Sequence, residues 1–191
     1  ALVSRDGYLW IAANADGLIQ RNLKTGEDRV FKKELLGSDA TYSPKPSNLF
    51  EDSRHNIWFS CENGYAVYIA AEKRVVPFFY NQDPDKSFPN ANCFAEDNKG
   101  RIWINSNDVW LGYADVNAPQ KGIIKKISLE QKKIYTKSFH LATDSSGNVW
   151  GYSNRYLFRI DNPDQPFRLF SFNYGVDNPD FFHFSFLPSG E

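Results

Sequence analysis

Tryptophan recurs in this chain inside one seven-residue frame. Ser4-Arg-Asp-Gly-Tyr-Leu-Trp10, Asp52-Ser-Arg-His-Asn-Ile-Trp58, Asp97-Asn-Lys-Gly-Arg-Ile-Trp103 and Asp144-Ser-Ser-Gly-Asn-Val-Trp150 carry the indole at the same step, 45 to 48 residues apart. A fifth frame opens at Phe184-Ser-Phe-Leu-Pro-Ser-Gly190. Self-similarity at roughly 40–50 residues marks a stacked repeat, and it outranks any single local motif. One such unit cannot bury its own apolar face, so the copies must pack on one another as a single body.

Within a unit the pattern is that of short strands. Asn48–Asp52 and Ile57–Cys61 flank a turn at 53–56. Glu62-Asn63-Gly64 is a hairpin signal, because Asn-Gly accepts the positive φ of tight primed turns. Tyr65–Ile69 and Arg74–Phe79 complete the set, and Pro77 suits a strand with one free edge. No segment holds a 3.6-residue apolar spacing over three turns, so long helices are not expected. Four meandering strands per repeat predict an all-β β-propeller fragment of about four four-stranded blades plus the start of a fifth. The blades are expected near 1–33, 48–80, 92–134 and 139–172, with the next beginning at 181–191. The connections Glu34–Ser47, Asn81–Ala91 and Asn173–Asp180 are rich in Pro, Asn, Asp and Ser and read as links between blades. The basic stretch Lys121–Lys137 reads largely as strand, with its lysines on a solvated face.

The repeated residues have a structural rationale. The Asp that opens the frames at 52, 97 and 144 can accept backbone N–H groups two or three residues on. Gly7, Gly100 and Gly147 stand where a positive φ is needed. His55 replaces that Gly in the second unit, where Asn56 is expected to ease the turn. The Trp is expected to fill the wedge between blades, where a buried ring contributes about 2–3 kcal/mol. Asp52, Asp97 and Asp144 are accordingly structural carboxylates. Cys61 and Cys93 read as buried or half-buried strand thiols, since neither has CxxC or Cys/His spacing.

The frame Asp-x-x-Gly-x-(Leu/Ile/Val)-Trp, followed by a short strand and a Gly turn, resembles the two-component-regulator propeller repeat. Trp10–Gly26, with its Gly-Leu and its Thr-Gly turn, is the copy most similar to it. The resemblance covers nearly the whole chain. It implies the periplasmic sensor region of a hybrid two-component sensor kinase of the Bacteroidetes type, membrane-anchored, with a histidine kinase elsewhere in the parent. Further blades of the parent and an oligosaccharide are the implied partners, and a homodimer is compatible with it. The absence of Met and a start inside a repeat likewise predict a segment of a longer protein.

Composition narrows the function. The 22 basic and 23 acidic side chains leave a net charge of −1, which provides no field for gripping nucleic acid. No apolar run reaches the roughly 18–20 residues that span a bilayer, so no membrane contact by this segment is expected. With fold residues set aside, ligand contacts are expected on the rim that carries the Gly-turn loops and inter-blade links. The candidates are Asn14, Asp16, Tyr42, Glu62, Asn63, Asn105, Asn107, Asp108, Tyr152, Asn154, Arg155 and Tyr174. They combine aromatic faces with planar amide, carboxylate and guanidinium groups, the chemistry that holds sugars. No metal, cofactor or catalytic residue is expected. The competing readings are a propeller glycosidase or lyase and a protein-interaction scaffold. The Asp-box of sialidases is not matched, because it requires Thr before Trp. The Trp-Asp and Gly-Gly signatures of other propeller repeats are missing. The three histidines, His55, His140 and His183, show no spacing for a metal or a nucleophile relay.

Overall fold

The computed structural model describes residues 1–13, 16–32, 46–89, 91–106, 110–136, 139–153 and 156–170. The fifth frame, the link 173–180 and most of the link 34–47 lie outside these residues. Among the described residues sixteen strands form four antiparallel meanders. The first is β1 (Leu2–Val3), β2 (Tyr8–Ala13), β3 (Gly17–Asn22) and β4 (Asp28–Phe31). The second is β5 (Ser47–Glu51), β6 (Ile57–Cys61), β7 (Gly64–Ile69) and β8 (Arg74–Phe79). The third is β9 (Ala91–Glu96), β10 (Arg101–Ser106), β11 (Trp110–Asp115) and β12 (Lys125–Ser128). The fourth is β13 (His140–Thr143), β14 (Val149–Tyr152), β15 (Leu157–Ile160) and β16 (Arg168–Phe170). First strands lie beside one another, β5 against β9 and β9 against β13, so the sheets converge on their inner strands as blades do.

One packing rule repeats three times. The Trp face of a sheet lies on the next sheet's residues that flank its own Trp. Trp10, Leu18 and Phe31 pack on Ile57, Phe59, Ala66 and Tyr68, with the Trp10 and Tyr68 rings 4.6 Å apart. Trp58 and Tyr65 pack on Ile102, Ile104 and Ala114, and Trp103 and Leu111 on Leu141, Val149 and Phe158. Trp10, Trp58 and Trp103 are buried, as expected of rings that fill the wedge between blades. Trp150 is only half-buried, against Phe170 at 5.0 Å. The outward face of the first sheet exposes Val3 and Val30.

The turns depart from expectation in three informative ways. Cys61 pairs directly with Gly64, so the two-residue loop is Glu62–Asn63 and the positive φ, +148°, falls on Gly64. A Cβ there would stand 2.0 Å from the Phe78 carbonyl oxygen, which only glycine allows. His55 itself takes the left-handed conformation, at φ +65°, rather than leaving the strain to Asn56. Its imidazole Nδ1 lies 2.8 Å from Glu51 Oε1, a contact glycine could not make. Finally, among the described residues of the basic stretch only Lys125–Ser128 is strand. Short 3-10 turns at Pro119–Lys121 and Glu130–Lys132 and a left-handed Lys133 interrupt it. Lys126 is drawn across to the link between β8 and β9, where Ser87 O accepts its ammonium at 2.6 Å.

Candidate functional site

Each sheet has two ends with different chemistry. At one end lie the Asp frames. Each is a three-residue loop closed by paired backbone bonds, such as Asp52 N to Asn56 O and His55 N to Asp52 O, with the left-handed residue last. The Asp fills the loop from inside. Asp52 Oδ1 accepts Arg54 N and Asn56 N, both at 2.9 Å. Asp52 Oδ2 accepts the Asn56 side-chain amide at 2.9 Å and the Trp58 indole Nε1 at 2.8 Å. Asp97 and Asp144 repeat the arrangement, each taking an indole N–H at 2.8 Å from Trp103 and Trp150. The backbone donors are therefore two and four residues on. The bond from Asp to the Trp six residues later explains why the two recur together. In the first frame Ser4 Oγ accepts the Trp10 Nε1 at 3.2 Å instead.

Adjacent frames also hold each other. Glu51, the residue before Asp52, accepts Arg5 N at 3.1 Å, and Glu96, the residue before Asp97, accepts both Ser53 N and Ser53 Oγ at 2.6 Å. Asn98 N donates to Gly147 O at 3.0 Å, and Thr143 Oγ1 donates to Glu96 O at 2.9 Å. A depression of about 540 Å³ lies in this clasp between Ser53–Arg54 and Asn98–Gly100. Burial works to raise the Glu51 carboxyl, but hydrogen bonds from His55 and Arg5 hold it below its ordinary range. Asp144 is likewise held low by Trp150 and Asn148 against the effect of burial. The polar groups at this end serve the fold.

The opposite end carries the hairpin loops and the links between sheets, where ligand contacts are expected. Asp16 stands exposed directly before β3, and Glu62 is exposed with Asn63 beside it at the β6–β7 tip. Tyr152 ends β14 half-buried, stacked on His140 at 5.4 Å between centroids. Asn14, Tyr42, Asn107, Asp108, Asn154, Arg155 and Tyr174 lie outside the described residues. Asn105 is a correction, because it is a buried member of β10 and not a loop residue. Its Oδ1 accepts Cys93 N at 2.7 Å and its Nδ2 donates to Phe139 O at 2.5 Å, stitching the third sheet to the approach of the fourth.

Three residues at this end carry no motif. Asn48 on β5 and Asn92 on β9 meet at 3.0 Å on the converging inner strands. Trp110 opens β11 and is 41% exposed. Of the five Trp of the chain it is the one that stands outside the repeated frame, a signal legible in the sequence. Cys61 and the half-buried Cys93 are free thiols, each pushed up to about 12 by burial of the sulfur. Among the described residues no group of His, Cys, Asp and Glu has the makings of a metal centre.

Comparison with solved structures bears on this arrangement. The extracellular domain of a hybrid two-component system from B. thetaiotaomicron superposes with a TM-score of 0.71 at 17% identity, over 93% of this chain and 23% of that one. The chain is a β-propeller segment. Virginiamycin B lyase from Staphylococcus aureus superposes at 0.67 and 18% identity, over 94% of this chain and 57% of the lyase. No family profile matches the sequence. An uncharacterized protein of Sulfolobus acidocaldarius is 25% identical over 138 residues, which are 70% of this chain and 44% of that protein. The chain thus spans less than two thirds of each of these three proteins. No helix among the described residues is long and apolar enough to cross a membrane.

Proposed function

We propose that this chain is a ligand-sensing part of an extracytoplasmic propeller in a two-component signalling protein, and that its ligand is an oligosaccharide. The observation that carries this reading is a separation of roles between the two ends. Every repeated polar residue is consumed in turns and clasps at one end. Non-repeating residues such as Asp16, Glu62 and Trp110 stand exposed at the other. Ligands of propellers meet loops that converge on such a rim. The likeness to an extracellular two-component domain supports the same reading and a periplasmic location. The segment senses without chemistry of its own, and the parent supplies the remaining blades and the kinase.

The fold likeness to a lyase favours one alternative, a propeller that degrades its ligand. The experiment is a thermal-shift screen of the complete parent ectodomain against defined oligosaccharides, with the products analysed. A saccharide that raises Tm and is recovered intact is the expected result. Turnover of the bound saccharide sinks the sensing reading in favour of the enzyme. Stabilisation by a protein partner alone sinks it in favour of a scaffold.

A further inference from the structure

Two large aromatic rings are exposed on the hairpin end of the seam between the second and third sheets, Trp110 at 41% and Tyr80 at 38%. Both are held by the backbone around them. Trp110 is paired with Ser128 at the start of β11. The Tyr80 N–H donates to Asn63 O at 2.9 Å, which ties it to the β6–β7 tip. Two residues below Trp110, on the same face, Gly112 leaves room for the Phe88 ring of the link, where a Cβ would stand 3.0 Å from Phe88 Cζ. Opposite Gly112, Lys126 crosses the seam. Its ammonium donates to Pro84 O and Ser87 O and lies 4.8 Å from the Phe88 ring and 5.7 Å from the Tyr80 ring. Lys126 and Phe88 therefore form a fixed floor, and Tyr80 and Trp110 stand at its margins.

We propose that Trp110 and Tyr80 form a saccharide-binding subsite, in which a pyranose ring of the ligand lays its C–H face on the Trp110 indole and a neighbouring residue contacts Tyr80. The chemistry favours a sugar over an apolar segment. Two flat aromatic faces on one seam suit rings whose C–H groups are apolar and whose edges are hydroxyls. Glu62 and Asn63 at the β6–β7 tip add polar groups beside Tyr80. An aromatic ring exposed on a strand also loses little conformational freedom when it is covered. The proposal rests on the oligosaccharide-sensing reading and adds where the ligand sits.

The test uses the full chain with a panel of defined neutral and uronic-acid hexasaccharides, read by calorimetry and by acrylamide quenching of tryptophan fluorescence. Binding by the wild type should shield an accessible tryptophan from quencher. Trp110→Ala should weaken binding at least tenfold while Tm stays within about two degrees, because the ring is not part of a core. Trp110→Tyr should restore most of the binding, and Tyr80→Ala should weaken it severalfold. Unchanged affinity in Trp110→Ala, with a saccharide bound by the wild type, overturns the subsite and leaves the sensing reading standing. No saccharide bound by the wild type overturns both. Loss of self-association in Trp110→Ala, with saccharide binding intact, makes the patch a contact between copies and also overturns the subsite.

Discussion

Removing the carboxylate of Asp52 tests the central structural claim, that the recurring Asp and Trp are one unit. In the native fold that side chain is fully buried and takes four hydrogen bonds, at 2.8 to 2.9 Å. Two of the donors, the Trp58 indole N–H and Asn56 N, are themselves buried and have no water to turn to. An unsatisfied buried donor costs about 1–3 kcal/mol, so Asp52→Ala should destabilise by about 3–5 kcal/mol, a large part of a typical domain's stability. Asp52→Asn keeps the shape but sets an amide N–H against either the indole or the loop donors, and should recover little. Asp52→Ser recreates the Ser4 arrangement and should recover part of the loss. Urea unfolding followed by circular dichroism gives each value from the midpoint shift at constant m. A double-mutant cycle with Trp58→Phe, which removes the indole donor, should return a coupling of about 1–2 kcal/mol. An Asp52→Ala protein within about 0.5 kcal/mol of wild type, or a cycle with no coupling, would refute the reasoning.

Other outcomes follow from the same contacts. Trp103→Ala should cost about 3–5 kcal/mol and the half-buried Trp150→Ala clearly less, as measured by the same unfolding curves. Gly64→Ala should be among the most damaging single changes, because its Cβ would meet the Phe78 carbonyl. Gly7→Ala, with nothing within 4 Å, should show only the backbone cost of about 1–2 kcal/mol. Glu51 and Asp144 titrate below their ordinary 4.5 and 3.8 in the fold. Their contribution is therefore full above the unfolded values and is lost as pH falls through the lower folded ones. Stability should drop below about pH 4, and Glu51→Gln should flatten that drop in a pH series of melting curves.

The sequence made the fold legible because packing forces the same residues into every copy. An indole that fills a wedge, and a turn that needs a left-handed residue three steps before it, leave a readable period. The carboxylate–indole bond is encoded only in the fixed six-residue step from Asp to Trp. The clasp leaves no such mark, because its members change type from Glu51 and Glu96 to Thr143 while keeping position. Asn105 shows the limit most plainly. As a polar residue near a predicted hairpin it looks like a ligand contact, yet it is an interior stitch between sheets. Sequence alone does not say which polar groups have partners, since those partners come from another repeat. Trp110 is the opposite case, a residue whose departure from the period was itself the message.

Ser4 has a consequence for how the stack opens. Three frames close on a carboxylate with two oxygens for the indole and the loop amides, whereas the first closes on one hydroxyl oxygen, 3.2 Å from the indole. The first turn is therefore tied by fewer acceptor oxygens than the other three, and its amides are expected to exchange with solvent before theirs in a hydrogen-exchange time course.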